Sequence, residues 1–338
     1  MTQVVNAYVN WPFEHVDVEV IESRGDPGDH VAAARKFLRA MAQVRRISRR
    51  RGELTPVLVI HLSERGSFVR EGTIARYANR LGIPVIAHMH GSEFAQHEKK
   101  SPKQVAKVLA ACVKVITLSE ETSAICARHV DPSRVSLVPN AVPGAHRVEK
   151  QRIVVFGGVV SHRKGIDVLQ EAWRQAAPDP SWQLVVAGPI RDEHLVDRSL
   201  PNAVFVGGLK HDELMSKLDT AAVAVLPSRD EAMPMFLLEA MARHTCVIST
   251  TVGGIPELLS DGCGLLVEAG SADELTDALV TATSNERVRT EIADAGWKRF
   301  QEQFSADAVY PRIEEIWLEA ATGSDSVRQR VVPSGRAG

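Results

Sequence analysis

The stretch that most restricts the fold of this chain runs from Ala222 to Thr250, where two short apolar runs, AVAVL and CVIST, flank a loop and the segment PMFLLEAMA. Apolar runs of about five residues with no polar alternation read as strands buried on both faces, and a helix between two of them is the crossover of a parallel sheet. Pro234 is expected at the first helical position, where its missing N–H costs nothing. The amides of Met235 and Phe236 then lack intrahelical partners, and at the carboxyl end of a parallel strand they form an anion site whose usual occupant is phosphate. Glu231 precedes this helix start and Glu239 follows one to two turns into it. A phosphate cradle beside two carboxylates fits a ligand that joins phosphate to hydroxyl-rich groups, because carboxylates accept hydrogen bonds from sugar or ribose hydroxyls. The plainer reading makes Glu231 a solvated loop residue and Glu239 a contributor to helix electrostatics.

The same alternation extends along the chain. Strands at 153–157, 182–188 and 203–207 are separated by helices in the second half, which predicts a parallel sheet. In the first half PVLVIHLS (56–63), PVIAHMH (84–90), KVITLS (114–119) and RVSLVPNAV (134–142) read as strands, with helices at 67–81 and 120–129. DVEVIES (17–23) is expected to be the first strand, and MTQVVNAYVNWPF reads as a helix start. A doubly wound domain normally opens on its central strand and a glycine-rich turn, and neither precedes these residues. Pro139, Pro143 and Gly144 mark PNAVPGAHRVEK as a linker. At 338 residues the chain has room for two domains.

Composition narrows the partners. A formal net charge of −2 argues against bulk attraction to nucleic acid. Cys112, Cys126, Cys246 and Cys263 stand singly in apolar segments with no zinc spacing, as core residues in a reducing cytoplasm would. No apolar run approaches the length of a membrane span, so membrane contact is expected to be peripheral. Between Asp29 and Arg51, Arg35, Lys36, Arg39, Arg45, Arg46, Arg49, Arg50 and Arg51 interleave with Phe37, Leu38, Met41, Val44 and Ile47. Such a helix is either attracted to anionic headgroups or simply buried on one face and solvated on the other.

Glu231, seven intervening residues and Glu239, set within SRDEAMPMFLLEAMA and followed by a strand and GGIPE, resemble the donor-site signature of retaining glycosyltransferases of family 4. The resemblance implies the α/β GT-B architecture, two Rossmann-like doubly wound domains facing a cleft, and transfer of sugar from a nucleotide diphosphate. It implies that Glu231 contacts the donor sugar, Glu239 the ribose, and the Met235 and Phe236 amides the diphosphate. GGVVSHRKG (157–165) is neither a dinucleotide fingerprint nor a P-loop, since Gly165 follows Lys164. It resembles the family's diphosphate loop, with Gly158 at its start and Lys164 at the family lysine. Val159 stands where the family has arginine, and Arg163 is the adjacent cation. Leu209, in GGLKHDEL (207–214), falls where the family holds the base through backbone groups; GGIPEL (253–258) brings backbone to the same cleft.

HMHGSEF (88–94) and RGSFVREG (65–72) resemble loops of bacterial polysaccharide-building members of that family. The resemblance puts His90, before Gly91, near the reacting sugar and Asn140 near the cleft, whereas His88, on the same strand face, reads as structural. The implied domains are an acceptor-side domain over 1–146, a donor domain over 147–304, a terminal helix over 305–322 crossing back to the first, and a disordered tail over 323–338. Because the family opens with a strand and a Gly-Gly loop, Met1 is expected to be an internal methionine and this chain to be poorly stable.

The expected activity is a retaining glycosyltransferase (hexosyltransferase class) of polysaccharide or glycolipid synthesis, cytoplasmic and on the inner face of the membrane. A UDP- or GDP-sugar is the donor and a lipid-linked or saccharide acceptor the partner. Lys164 and the helix amides would stabilise the leaving diphosphate, which itself takes the acceptor proton. No cofactor is expected and no metal, since no DxD pair or His cluster stands in a loop. The rival readings are a GT-B-fold sugar-nucleotide epimerase, which would need an acid and base set, and an inactive nucleotide-sugar binder, motivated by Val159. A dehydrogenase is disfavoured by the missing dinucleotide fingerprint.

Overall fold

A computed structural model describes residues 2–24, 29–50, 55–64 and 66–323. Arg51, Arg65 and the tail from Ser324 onward, all of which carried expectations, lie outside them. By internal contacts the chain divides into two compact units, Met1–Val138 with Tyr310–Gly338, and Pro139–Val309.

The first unit contains α1 (Thr2–Asn10), α2 (His30–Arg49), β1 (Leu58–Leu62), α3 (Gly66–Arg80), β2 (Val85–Met89), α4 (Phe94–Lys100), α5 (Pro102–Leu109), β3 (Lys114–Thr117), α6 (Glu120–Ala127) and β4 (Val135–Leu137). Its strands form a parallel sheet in the order β1-β2-β3-β4. β2 is buried along its whole length, which is why VIAHM shows no alternation. Ala40 and Val44 of α2 are buried in the same core as Phe68, Leu62 and Leu109. Leu38 and Val31, on the opposite side of α2, are 66% and 62% exposed.

The second unit contains β5 (Gln151–Gly157), α7 (Ile166–Ala176), β6 (Gln183–Ala187), β7 (Ala203–Gly207), α8 (His211–Thr220), β8 (Ala221–Leu226), α9 (Met235–Met241), β9 (Cys246–Thr250), α10 (Ile255–Leu258), β10 (Leu265–Val267), α11 (Ala272–Ser284) and α12 (Glu286–Gln303). Every strand pair is parallel, and the order is β10-β9-β8-β5-β6-β7. α13 (Ala306–Thr322) follows, and from Tyr310 onward it counts with the first unit. There Tyr310 and Trp317 meet Tyr8 of α1 edge-on, with ring centroids 5.2 and 5.4 Å apart. Among the described residues no helix is long and apolar enough to cross a membrane.

The fold is the expected pair of Rossmann-like parallel sheets, but several local expectations fail. Asp17–Ser23 is not a strand. β1 pairs only with β2 among the described strands, so no ladder forms for this segment. Side chains hold it instead: Ser23 Oγ donates to Glu71 at 2.5 Å, Lys36 pairs with Glu22 at 2.7 Å, and Ile21 packs on the core. The helix expected over 67–81 is present as α3, so Gly66 to Gly72 of the RGSFVREG segment lies in that helix and not in a loop, with Phe68 and Gly72 on its buried face. α4, α5 and β10 were not anticipated; each is eight residues or shorter and gives little periodicity to read. The linker segment is tied down, since Val142 donates to Phe304 O at 3.3 Å and accepts from the Ala306 amide at 3.0 Å.

α3 can approach α5 only because Gly72 has no side chain: a Cβ there would lie 2.5 Å from Val108 Cγ2. Gly72→Ala is therefore expected to destabilise the chain by about 1–3 kcal/mol despite alanine's higher helix propensity. A lowered denaturation midpoint at unchanged m-value checks this.

Candidate functional site

In the second sheet the strand order reverses between β5 and β8, and in open parallel sheets the crevice outside the carboxyl ends at such a point is where ligands bind. Two loops leave the sheet there. The β5 loop runs from Gly158 through a short 3-10 turn, His162–Lys164, to α7. The β8 loop runs from Pro227 to Pro234 and opens α9.

Close backbone approach fastens these loops together. Gly165 has φ +71°, and a Cβ on it would sit 1.9 Å from the Pro227 carbonyl oxygen. Gly253 has φ +57°, and a Cβ there would sit 1.7 Å from Glu231 O. Only glycine fits either position. Thr250 Oγ1 donates to Ser228 O at 2.6 Å, and the Gly254 amide to Ala232 O at 2.9 Å. Arg229 grips Asp167 with both guanidinium nitrogens, at 2.8 and 2.7 Å, and also donates to His162 O at 2.6 Å. Asn140 donates to Met233 O at 3.1 Å, so this residue braces the β8 loop.

Within this frame Lys164 Nζ is ion-paired with Glu231, and Ser228 Oγ donates to the same carboxylate oxygen at 2.8 Å. The two charged side chains keep only 13% and 10% of their surface exposed, so the pair is largely desolvated. Arg163 donates to Asp230 O at 2.8 Å; Val159 is half-buried and brings no charge.

α9 begins at Met235, with Pro234 at the N-cap and not, as expected, at the first helical position. The Pro234 carbonyl accepts from Leu237, and the Met235 and Phe236 amides make no hydrogen bond among the described residues. The Phe236 ring lies against Gly157, where a Cβ would be 2.4 Å from it. Glu239 is 4% exposed, and burial pushes its carboxyl above the ordinary range while His211, at 3.8 Å, and Arg243 oppose that rise. The neighbouring strand ends present backbone: Gly158 donates to Ala187 O at 2.9 Å and Gly188 to Gly207 O at 2.7 Å. Leu209 stands two residues beyond β7 and is half-buried.

The second unit thus gathers Lys164, Glu231, Glu239, Met235 and Phe236 around one switch point. His90 and Gly91 belong to the first unit, at the carboxyl end of β2. Gly91 leaves room for Glu64, whose carboxylate oxygen would be 2.1 Å from a Cβ and accepts from the Glu93 amide at 2.7 Å. His90 Nε2 lies 2.8 Å from Nδ1 of His61, and the His88 ring lies tilted against both. A histidine cluster therefore exists although no loop carries one, because His61 and His88 are register partners in β1 and β2. Burial pulls the His61 imidazole down to about 4 and holds those of His88 and His90 well below the ordinary range. Sequence reasoning gave no role to Ser228, Arg229, His61 or Glu64. Only the alternation of His61 with its strand neighbours could have pointed inward; the others are polar loop residues with no period.

Residues 150–285 match the family model described as glycosyl transferases group 1, and residues 7–144 match glycosyltransferase family 4. The chain is 27% identical to the UDP-Gal:α-D-GlcNAc-diphosphoundecaprenol α-1,3-galactosyltransferase of Escherichia coli, over 64% of this chain and 65% of that one. It spans 47%, 64% and 65% of the lengths of three curated relatives that it matches. Among solved structures it is similar to a sucrose-phosphate synthase from Thermosynechococcus elongatus, with a TM-score of 0.70 and 21% identity over 92% of this chain and 86% of that one. It is also similar to Anabaena HepE in complex with UDP-glucose, with a TM-score of 0.65 and 16% identity over 80% of each chain. The fold is that of the GT-B glycosyltransferases.

The geometry makes the Gly165 contact an exacting one. Gly165→Ala is expected to cost at least about 2 kcal/mol, from positive-φ strain and the Pro227 contact together, and a thermal melt reads it directly. For the ion pair, the double substitution Lys164→Met with Glu231→Gln should cost clearly less than the sum of the two single substitutions, since each alone strands a desolvated group. A double-mutant cycle in urea measures that coupling.

Proposed function

With both halves of the chain matched to glycosyltransferase domains, we propose that it is a retaining enzyme moving a sugar from a UDP- or GDP-linked donor to an acceptor hydroxyl in cell-surface polysaccharide or glycolipid synthesis. The observation that carries this reading is the desolvated Lys164–Glu231 pair beside the unpartnered amides of Met235 and Phe236 at the switch point. A diphosphate entering there takes the helix-start amides on one oxygen set and the Lys164 ammonium on another. Both stabilise the charge that grows on the leaving phosphate. Glu231, held by Ser228, orients the donor sugar, and Glu239 accepts from the ribose hydroxyls. Leu209 offers backbone to the base, Gly158 opens the loop that meets the diphosphate, and Arg163 acts through Asp230. Bond cleavage at the anomeric carbon sends its electron pair to the phosphate oxygen, which takes the proton of the incoming acceptor hydroxyl. His90 and Gly91 of the first unit serve the reacting sugar, and Asn140 sets the β8 loop. In this reading the transfer needs no metal.

The HepE complex with UDP-glucose and the E. coli relative's lipid-diphosphate acceptor support a nucleotide donor and a lipid-linked or saccharide acceptor. The epimerase and inactive-binder readings gain nothing from these relatives. The exposed Leu38 and Val31 sit among Arg35, Arg39, Arg45 and Arg46 on the open side of α2, an arrangement suited to an anionic membrane surface on the cytoplasmic side.

A thermal-shift titration with UDP, GDP and their sugar conjugates is expected to raise Tm for one nucleotide, and Lys164→Ala and Glu239→Ala to abolish the rise. Glu231→Gln should lower kcat by about a hundredfold or more, with the product anomer retained in the wild type by proton NMR. Affinity should fall on acidification at a pH above the ordinary 4.5 of a glutamate, because burial raises Glu239 and only its ionised form accepts two ribose hydroxyls. Co-sedimentation with vesicles should increase with anionic lipid and decrease in Leu38→Ser.

A further inference from the structure

The first unit holds a second group of chemically matched side chains. His61 on β1 and His88 on β2 are register partners, and His90 lies two residues beyond His88 on the same face. Their ring centroids are 5.2, 5.0 and 4.2 Å apart, and one nitrogen from each lies within 4.8 Å of the others. His88 is 1% exposed, and neither of its ring nitrogens has a hydrogen-bonding partner among the described residues. A buried imidazole with both nitrogens unmatched loses the hydration it had in water and gains nothing in return. The Tyr8 ring stacks over His88 with centroids 6.3 Å apart, and leaves the convergent nitrogens as that residue's route to a partner.

We propose that His61, His88 and His90 form a tridentate binding site for a borderline divalent transition-metal ion, with Zn2+ as the matching ion. Three imidazoles with no carboxylate among them select zinc over magnesium or calcium. Zn–N bonds of about 2.0–2.1 Å in a tetrahedron put ligand nitrogens about 3.4 Å apart, within reach of small side-chain rotations from the separations seen. His61 and His90 remain partly exposed and provide the entry path, and the fourth position is left to water. Binding replaces the 2.8 Å contact between His61 Nδ1 and His90 Nε2, and the proton held there moves to the other nitrogen of the ring that carries it, so that each ligand remains a neutral imidazole. A consequence rests on the proposed function: the ion engages the His90 imidazole and so inhibits sugar transfer.

The test uses the full chain, stripped with chelator and given one equivalent of Zn2+ or Co2+. We expect about one metal per chain after gel filtration, a four-coordinate Co2+ visible spectrum, and a zinc absorption-edge signal fitted by three imidazoles. His61→Gln and His88→Gln should each reduce retained metal at least tenfold. No retained metal in the wild type, or full retention in a folded His61→Gln variant, overturns the site. The zinc-edge measurement needs no variant, and a shell with fewer than two imidazoles overturns it equally. Zn2+ bound by three imidazoles with transfer rate unchanged would leave the site standing and remove His90 from the catalytic reading.

Discussion

The pairing of Lys164 with Glu231 at the switch point of the second sheet is the interaction on which the rest of that unit depends. Two opposite charges are taken largely out of water, and this is tolerable only if loops from β5 and β8 hold them in register. The surrounding structure reads as the means of doing so. Gly165 lets one loop touch the Pro227 carbonyl, Gly253 lets the following turn touch Glu231, and Arg229 ties both loops to α7 through Asp167. None of these contacts involves a large apolar group. The buried strands behind supply the stability, and the loops convert it into position.

The same economy explains which parts of the fold were legible in the sequence. Strands buried on both faces leave uninterrupted apolar runs, so Cys246–Thr250 falls where the residues alone put it and Ala221–Leu226 begins within one residue of where they put it. Asp17–Ser23 has a strand's composition, but a ladder needs a partner edge, which no local pattern reveals. The start of α3 falls within one residue of the expected 67, and the loop resemblance of RGSFVREG yields to it because Phe68 and Gly72 share a buried helix face. Pro234 caps α9 from outside with extended ψ, a one-residue difference that leaves the following amides equally open.

Among candidate site residues, those singled out in the sequence lie in continuous motifs, and those that only tertiary partners bring together were not singled out. Glu231 and Glu239 flank a helix start within a motif that resembles the family's, and Lys164 is singled out by the resemblance of its own loop. Ser228 and Arg229 act only once two loops meet, and His61 joins His88 and His90 only through strand register. Arg163 shows the converse: a cation next to the expected position is already bonded to Asp230. Proximity in sequence to a site is a weaker statement than a shared partner within it.

The central claim is that the start of α9 and Lys164 together receive a diphosphate. The most direct measurement is a crystal structure of the chain with a bound nucleoside diphosphate. The account predicts phosphate oxygens within hydrogen-bond distance of the Met235 and Phe236 amides and of Lys164 Nζ, with the ribose hydroxyls on Glu239. A nucleotide bound in the second unit away from α9, or one whose phosphates meet neither those amides nor Lys164, would contradict it.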